Sequence, residues 1–101
     1  MVKKVLFVCV HNAGRSQMAE ALFNQLAQER GLDARAESAG TEPGDRVHPE
    51  VAAAMQEVGL DLSAKRPKLL TDERVKMADR VIQDEVAMLK DTENLLLKNI
   101  M

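Results

Sequence analysis

The feature that most constrains this chain is the stretch Cys9-Val10-His11-Asn12-Ala13-Gly14-Arg15-Ser16, which contains its single cysteine. The apolar residues 5–8 precede it, and a helix-like segment that starts at Gln17 follows it. This order predicts a strand, a tight loop and a helix, with the cysteine where the strand ends. The first N–H groups of a helix lack internal partners and carry the positive end of its dipole. A loop at that position is therefore predicted to bind an anion.

The residue types in the loop indicate what the anion site does. A cysteine beside a helix N-terminus and a cation favours the thiolate, which is the nucleophilic form. Arg15 can clamp an oxyanion through two parallel N–H bonds, and Ser16 can hydrogen-bond the thiolate or cap the helix. Gly14 permits a positive φ or a close approach of the backbone to a ligand. The cradle of backbone N–H groups is predicted to come from Val10, His11, Asn12, Ala13, Gly14 and Arg15.

Two other interpretations of this stretch were weighed. A lone cysteine near a strand end is often a small buried apolar residue, but the glycine in the loop and the helix after it favour an anion site. A nucleotide-binding P-loop is excluded because the chain has no Gly-Lys-Ser/Thr run. The prediction is a nucleophilic Cys9 beneath a bound tetrahedral oxyanion.

The loop resembles that of the thiol-coupled arsenate reductases in the low-molecular-weight protein tyrosine phosphatase superfamily. The resemblance is carried by residues 9–20, by Glu37-Ser38-Ala39-Gly40-Thr41, and by His48-Pro49 through Gly59-Leu60-Asp61-Leu62-Ser63. It covers residues 1–82. It implies reduction of arsenate to arsenite, with Cys9 as nucleophile, Arg15 as anion clamp and Ser16 as hydrogen-bond donor to the thiolate.

The resemblance also implies supporting residues around the loop, at Glu20, Ser38, Thr41 and Lys68. Many relatives carry an acidic residue at the position of Lys68, where it helps to hold a potassium ion. Lys68 would supply the positive charge itself, so we expect no metal and no potassium requirement. The alternatives are a solvated Glu20 and a surface Lys68.

Three further polar side chains were assigned lesser roles. Asn12 is expected to brace the loop, His11 to shape its backbone, and His48 to begin a helix. Arg46 either flanks the pocket or is solvated, and the solvated position is preferred.

The predicted fold is a three-layer α/β/α sandwich with a small parallel sheet, lacking the usual last strand and helix of the family. The predicted strands span 3–9, 34–39 and 78–82, and the predicted helices span 15–30, 47–58 and 71–77. The first strand is continuously apolar, which favours a central position, and the second is placed toward an edge. In the first helix, Met18, Ala21, Leu22 and Leu26 are predicted to form the apolar stripe.

Composition limits the remaining possibilities. The 101 residues form one domain, with residues 84–101 predicted as a divergent C-terminal helix. The net charge is −2 with both signs interspersed, which indicates neither a nucleic-acid surface nor a membrane surface. The sequence shows no signal peptide, and a single cysteine favours a reducing cytoplasm.

The resemblance ends near Ile82, before the additional cysteines and the Asp-Pro loop that the family would supply. Thiol exchange needs a second thiolate, so we expect an external reductant such as glutathione, mycothiol or thioredoxin. Two alternatives stay open: a phosphatase of the same fold, and a relative that binds oxyanions without turnover. A homodimer through residues 84–101 or through an exposed sheet edge is a further expectation, against packing of that helix on its own sheet.

Overall fold

The computed structural model describes residues 2–83, which form a parallel three-stranded sheet and three helices. The strands are β1 (Lys3–Cys9), β2 (Ala34–Gly40) and β3 (Arg80–Ile82), in the order β2-β1-β3. The helices are α1 (Arg15–Glu29), α2 (Pro49–Glu57) and α3 (Asp72–Met77). The apolar run of β1 is buried because this strand lies in the centre and is covered on both faces.

The two faces of the sheet carry separate apolar clusters, which confirms the three-layer α/β architecture. On one face, Phe7 of β1 meets Phe23 of α1 edge-to-face, with ring centroids 6.0 Å apart. On the opposite face, the clustered residues come from all three strands and from the residues that flank α3, and they are Leu6, Val8, Ala39, Leu70, Ala78 and Val81. Successive residues of β1 therefore point alternately to the two faces of the sheet and pack in the cluster on each face.

The face that α1 turns toward the sheet differs from the predicted stripe. Ala19, Phe23 and Ala27 are the buried apolar residues of this helix. Met18 and Leu22 are half-buried and pack instead toward α2, in a third cluster around Val47, Met55 and Leu62. The residues of the predicted stripe do pack in apolar clusters, but the stripe is divided because α1 packs against two partners: Met18, Ala21 and Leu22 pack toward α2, and Leu26 packs in the cluster on the sheet.

Two helix boundaries illustrate how local chemistry sets the elements. Helix α2 begins at Pro49, two residues later than predicted, because Val47 is still in the preceding loop, where it is buried. Proline suits the first helical turn, where its missing N–H is not needed. Helix α3 has the predicted cap, since Thr71 Oγ1 accepts a hydrogen bond from the N–H of Arg74 at 3.2 Å.

The connector between α2 and α3 begins with a local turn at Asp61. Its carboxylate accepts a hydrogen bond from the backbone N–H of Ser63 at 2.8 Å. Hydrogen bonds from the Ser63 side chain and backbone lower the pKa of Asp61.

The outer edge of β2 is protected by two different groups. The side-chain amide of Asn24 accepts from the N–H of Ala36 at 2.7 Å and donates to the Ala36 carbonyl at 3.1 Å. Further along, the N–H of Gly40 donates to the Lys68 carbonyl and the Gly40 carbonyl accepts from Leu70, both at 2.8 Å. Asn24 and the connector thus take the place of a neighbouring strand. The predicted helix and dimer contact at residues 84–101 lie outside the described residues.

We predict that Asn24→Leu lowers the free energy of unfolding by about 1–3 kcal/mol, because the polar backbone groups of Ala36 lose their partner. Urea denaturation measures the change. Gln28→Leu, at an exposed position of the same helix, is the control and should change stability by less than about 0.5 kcal/mol. Equal effects of the two substitutions would contradict this role of Asn24.

Candidate active site

The loop after β1 forms an open pocket at the carboxyl end of the central strand. The pocket has a volume of about 230 Å³. Its lining combines the loop, the start of α1 and the start of α2, and consists of Cys9, Val10, His11, Ala13, Gly14, Arg15, Met18, His48 and Val51. In open α/β sheets, ligands bind at this end of the strands. The predicted location of the site therefore agrees with the pocket.

The backbone of the loop is oriented by the segment 41–48, which follows β2. N–H groups of this segment donate to carbonyl oxygens of the loop at distances of 2.7 to 3.2 Å. The four bonds run from Thr41 to Cys9, from Glu42 to Val10, from Gly44 to His11 and from His48 to Ala13. No cis peptide bond occurs among the described residues. Since C=O and N–H point in opposite directions across a trans peptide, the N–H groups that follow these carbonyls point away from the segment.

One glycine and one asparagine allow this close packing. A Cβ atom on Gly40 would lie 2.6 Å from the Val10 carbonyl oxygen and 2.9 Å from the Asn12 nitrogen, so only glycine fits. Asn12 has the left-handed conformation, with a φ of 51°. Of the two roles considered for Gly14, the positive φ is not adopted, because its φ is −140°. Asparagine tolerates the left-handed region better than most residues, and its side chain also braces the loop as predicted.

The sulfur of Cys9 faces two hydrogen-bonding groups of the loop. The backbone N–H of Asn12 donates to Sγ at 3.2 Å, and Ser16 Oγ lies 2.8 Å from Sγ. Ser16 Oγ in turn accepts from Asn12 Nδ2 at 2.7 Å, which leaves its own hydroxyl proton for the sulfur. Ser16 is fully buried and binds the sulfur instead of capping α1, whose N-cap residue is Gly14. Both groups are positioned to stabilise a thiolate.

Beneath the loop, a buried carboxylate is paired with two lysines. Glu20 Oε1 accepts from Ser38 Oγ at 2.8 Å and lies 3.7 Å from Lys68 Nζ, while its Oε2 lies 3.1 Å from Lys65 Nζ. Glu20 and Ser38 are buried, so the solvated position considered for Glu20 is wrong. Ser38 is the predicted neighbour of Glu20, and Lys68 supplies a positive charge near the loop as expected, at the Glu20 carboxylate. Lys65 was not predicted, because its spacing from Glu20 carries no periodic signal.

Of the remaining candidate residues, Arg15 and His11 line the pocket, whereas Thr41 and Arg46 lie outside its lining. Arg15 is exposed and lines the pocket at the start of α1. His11 Nδ1 lies 2.9 Å from the Glu42 carbonyl oxygen, which ties this ring to the segment 41–48. Thr41 contributes its backbone N–H to the Cys9 carbonyl. Arg46 is exposed, in agreement with the solvated position that was preferred.

Two residues of the site, His48 and Gln17, were not predicted as site residues from the sequence. His48 begins α2, but it also lines the pocket, and its Cδ2 would lie 3.5 Å from a Cβ on Gly14. Gln17 is fully buried, and its Nε2 donates to Asn12 Oδ1 at 3.0 Å and to the Arg66 carbonyl at 3.3 Å. The available signal for Gln17 was the presence of a polar amide in the first turn of a helix that packs on a sheet. No spacing rule identifies His48.

Comparison with known proteins agrees with the geometry of the loop. The family model for low molecular weight phosphotyrosine protein phosphatase matches residues 4–99. The chain belongs to this family. The match extends past residue 82, and residues 84–99 within it lie outside the part of the chain that the structure describes.

Three similar proteins show the range of activities named among the relatives of this chain. A putative arsenate reductase from Halobacterium salinarum is 42% identical over 77 residues, which is 74% of this chain and 54% of that protein. The structure of a low molecular weight protein tyrosine phosphatase from T. tengcongensis has a TM-score of 0.76 and 39% identity, covering 80% of this chain and 57% of that one. A thioredoxin-dependent arsenate reductase from Corynebacterium glutamicum has a TM-score of 0.72 and 30% identity, covering 98% and 60%.

The chain therefore spans about half the length of the curated relatives it matches. Between residues 2 and 83, no helix is long and apolar enough to cross a membrane. The same residues contain no group of three or more His, Cys, Asp or Glu side chains suited to a metal ion.

We predict that Gly40→Ala weakens the binding of inorganic phosphate by at least about tenfold. The added methyl group would push on the backbone of Val10 and Asn12, at an overpacking cost of about 1–3 kcal/mol, and about 1.4 kcal/mol corresponds to tenfold in affinity. Isothermal titration calorimetry measures the affinity. Gly44→Ala is the matched control, because a Cβ there meets Ala13 Cβ at an ordinary 3.7 Å. Unchanged phosphate binding by Gly40→Ala would contradict this account of the loop.

A second prediction concerns the charge beneath the loop. Because two lysines already neutralise Glu20, replacing KCl by NaCl at equal ionic strength should change neither the melting temperature nor the affinity for phosphate. Differential scanning fluorimetry and calorimetry measure these quantities. The Lys68→Met variant, which keeps only Lys65 on the carboxylate, is the comparison. A melting temperature of the wild type that rises specifically with potassium would contradict the prediction.

Proposed function

We propose that this chain carries the oxyanion-reducing site of an arsenate reductase. The observation that supports this most directly is the Cys9 sulfur, which lies at an open pocket and faces Ser16 Oγ at 2.8 Å and the Asn12 N–H at 3.2 Å. Arg15 lines the same pocket and can form paired N–H bonds to a tetrahedral oxyanion. Relatives named as arsenate reductases support the choice of this oxyanion.

The proposed reaction begins when the Cys9 thiolate attacks the arsenic of bound arsenate. A sulfur–arsenic bond forms, and one oxygen of arsenate leaves as water after protonation. The N–H groups that follow the loop carbonyls, together with Arg15, would stabilise the charge that develops on the remaining oxygens. Ser16 would release its hydrogen bond to the sulfur as the thiolate charge is lost.

The reduction itself needs thiols from outside the described residues. An external thiolate attacks Cys9 Sγ, the sulfur–arsenic bond breaks, and its electron pair leaves with arsenic as arsenite. Arsenic gains two electrons, and the two sulfurs become a mixed disulfide. A second external thiol then releases Cys9, so that two thiols are oxidised to one disulfide for each arsenite formed.

The external reductant is proposed to be glutathione, mycothiol or thioredoxin. A thioredoxin-dependent relative of similar fold supports the last of these. Such a cycle requires a reducing compartment, and the cytoplasm stays the predicted location.

The second candidate function is hydrolysis of a phosphate ester on the same loop. The family model and the similarity to a low molecular weight protein tyrosine phosphatase favour it. The Cys9 thiolate would attack phosphorus, the P–O bond to the ester's alcohol would break, and the alcohol would leave with a proton taken from solvent. Water would then hydrolyse the phosphocysteine to phosphate and free Cys9, with no change in oxidation state. Binding of oxyanions without turnover is the third alternative, and all three share phosphate as a competing ligand.

The deciding experiment measures arsenite released from arsenate in the presence of each reductant. We expect one reductant to support turnover, and Cys9→Ser to abolish it. Arg15→Lys should lower kcat/KM by about a hundredfold or more, because removal of one preorganised donor typically costs that much. Arg46→Lys, at an exposed position outside the pocket lining, is the matched control and should retain full activity.

The other outcomes separate the alternatives. Release of phosphate from p-nitrophenyl phosphate that needs Cys9, without arsenite from any reductant, would establish the phosphatase and refute the reductase. Absence of both products, with phosphate still raising the melting temperature, would establish an oxyanion-binding protein.

A further inference from the structure

A chain of hydrogen bonds reaches the Cys9 sulfur from the interior of the protein, and its first donor is Gln17. Gln17 Nε2 donates to Asn12 Oδ1 at 3.0 Å, and Asn12 Nδ2 donates to Ser16 Oγ at 2.7 Å. Ser16 Oγ then lies 2.8 Å from Cys9 Sγ. The first three side chains are fully buried. The groups therefore interact without competition from water.

The direction of this chain is fixed by partners at each step. Gln17 Nε2 faces two acceptors, Asn12 Oδ1 and the Arg66 carbonyl oxygen. If the amide group were reversed, its own oxygen would face both of these oxygens, so its orientation is fixed. Asn12 Oδ1 receives a second donor, the backbone N–H of Lys68 at 2.8 Å. Asn12 must therefore present its amide nitrogen to Ser16, whose single proton is left for the sulfur. Every donor points toward Cys9.

The oxygen atom of the Gln17 side-chain amide supports a functional reason for this residue. Gln17 Oε1 is buried and has no hydrogen-bond partner among residues 2–83. A buried acceptor without a partner costs about 1–3 kcal/mol. Against residues 2–83, an apolar side chain of similar volume would avoid this cost, so packing within them does not by itself explain a glutamine at this position.

We propose that Gln17 is a positioning residue that strengthens the thiolate of Cys9 through Asn12 and Ser16. Donation from Gln17 polarises the Asn12 amide, which makes its N–H groups stronger donors to Ser16. Ser16, with more charge withdrawn from its oxygen, donates more strongly to the sulfur. Gln17 also connects the loop to the segment 66–68 through the Arg66 carbonyl. The inference rests on the thiolate step of the proposed function, but it does not depend on which oxyanion reacts.

The test compares Gln17→Met with Asn24→Leu, since both replace an amide of α1 by an apolar side chain of similar volume. The side chain of Asn24 forms hydrogen bonds with the backbone of β2 and does not belong to the chain of hydrogen bonds that reaches the sulfur. The full chain is alkylated with iodoacetamide between pH 5 and pH 9. Cys9 is the single cysteine of the sequence, so the rate reports this thiolate alone. The melting temperature of each variant is measured in parallel.

We expect Gln17→Met to move the alkylation profile to higher pH and to slow the reaction at pH 6 by about twofold or more, the size of one lost bond in a cooperative chain. Asn24→Leu should lower the melting temperature and leave the profile unchanged. A profile unaffected by Gln17→Met, or moved equally by both substitutions, would overturn the proposal.

A measurement on the wild type keeps the test independent of how well the variant folds. In ¹⁵N-labelled protein, the side-chain amide resonances of Gln17 and Asn12 should titrate with the same midpoint as Cys9 alkylation, while those of Asn24 should not. A Gln17 resonance whose chemical shift does not change with pH would refute the proposed role of Gln17. If Gln17→Met shifts the profile and no reductant yields arsenite, the reductase proposal fails and the role of Gln17 stands.

Discussion

The hydrogen bonds between the segment 41–48 and the carbonyls of the loop are the interaction on which the site depends. The five residues 10–14 that connect β1 to α1 could adopt many conformations, including ones that place carbonyl oxygens where an anion would bind. Four donors behind the loop fix its carbonyls on one side and thereby turn the following N–H groups to the other. Such preorganisation is what makes backbone dipoles effective toward developing negative charge, because no reorientation is needed during the reaction.

The sheet and its helices explain why this arrangement can be held in place. Gly40 ends β2 against the backbone of Val10 and Asn12, so the second strand and the loop share one contact surface. The packing of Phe7 on Phe23 fixes α1 relative to β1, and the start of α1 carries Ser16 beside the sulfur. The apolar core thus determines the distance between nucleophile and donor, and Met18 and Val51 of the cluster beside α2 also line the pocket.

The sequence was most informative where local chemistry decides the structure. The apolar run of β1, the cap at Thr71 and the position of Cys9 at a strand end could all be predicted, since each depends on neighbouring residues. The buried face of α1 could not, because it depends on two packing partners that lie far away in the sequence. The left-handed conformation of Asn12 could not be predicted for a related reason. Its side chain bonds Ser16, Gln17 and Lys68, and the last of these lies far away in the sequence.

The buried polar groups beneath the pocket show how a small core accommodates chemistry. Asn12, Ser16, Gln17, Glu20 and Ser38 are all buried, and each would destabilise the fold if left without partners. They form two separate networks of hydrogen bonds and ion pairs. One directs successive donors toward the Cys9 sulfur, while the other surrounds the Glu20 carboxylate with a hydroxyl and two ammonium groups. The two lysines neutralise the Glu20 carboxylate, so its charge does not oppose the binding of an oxyanion at the loop.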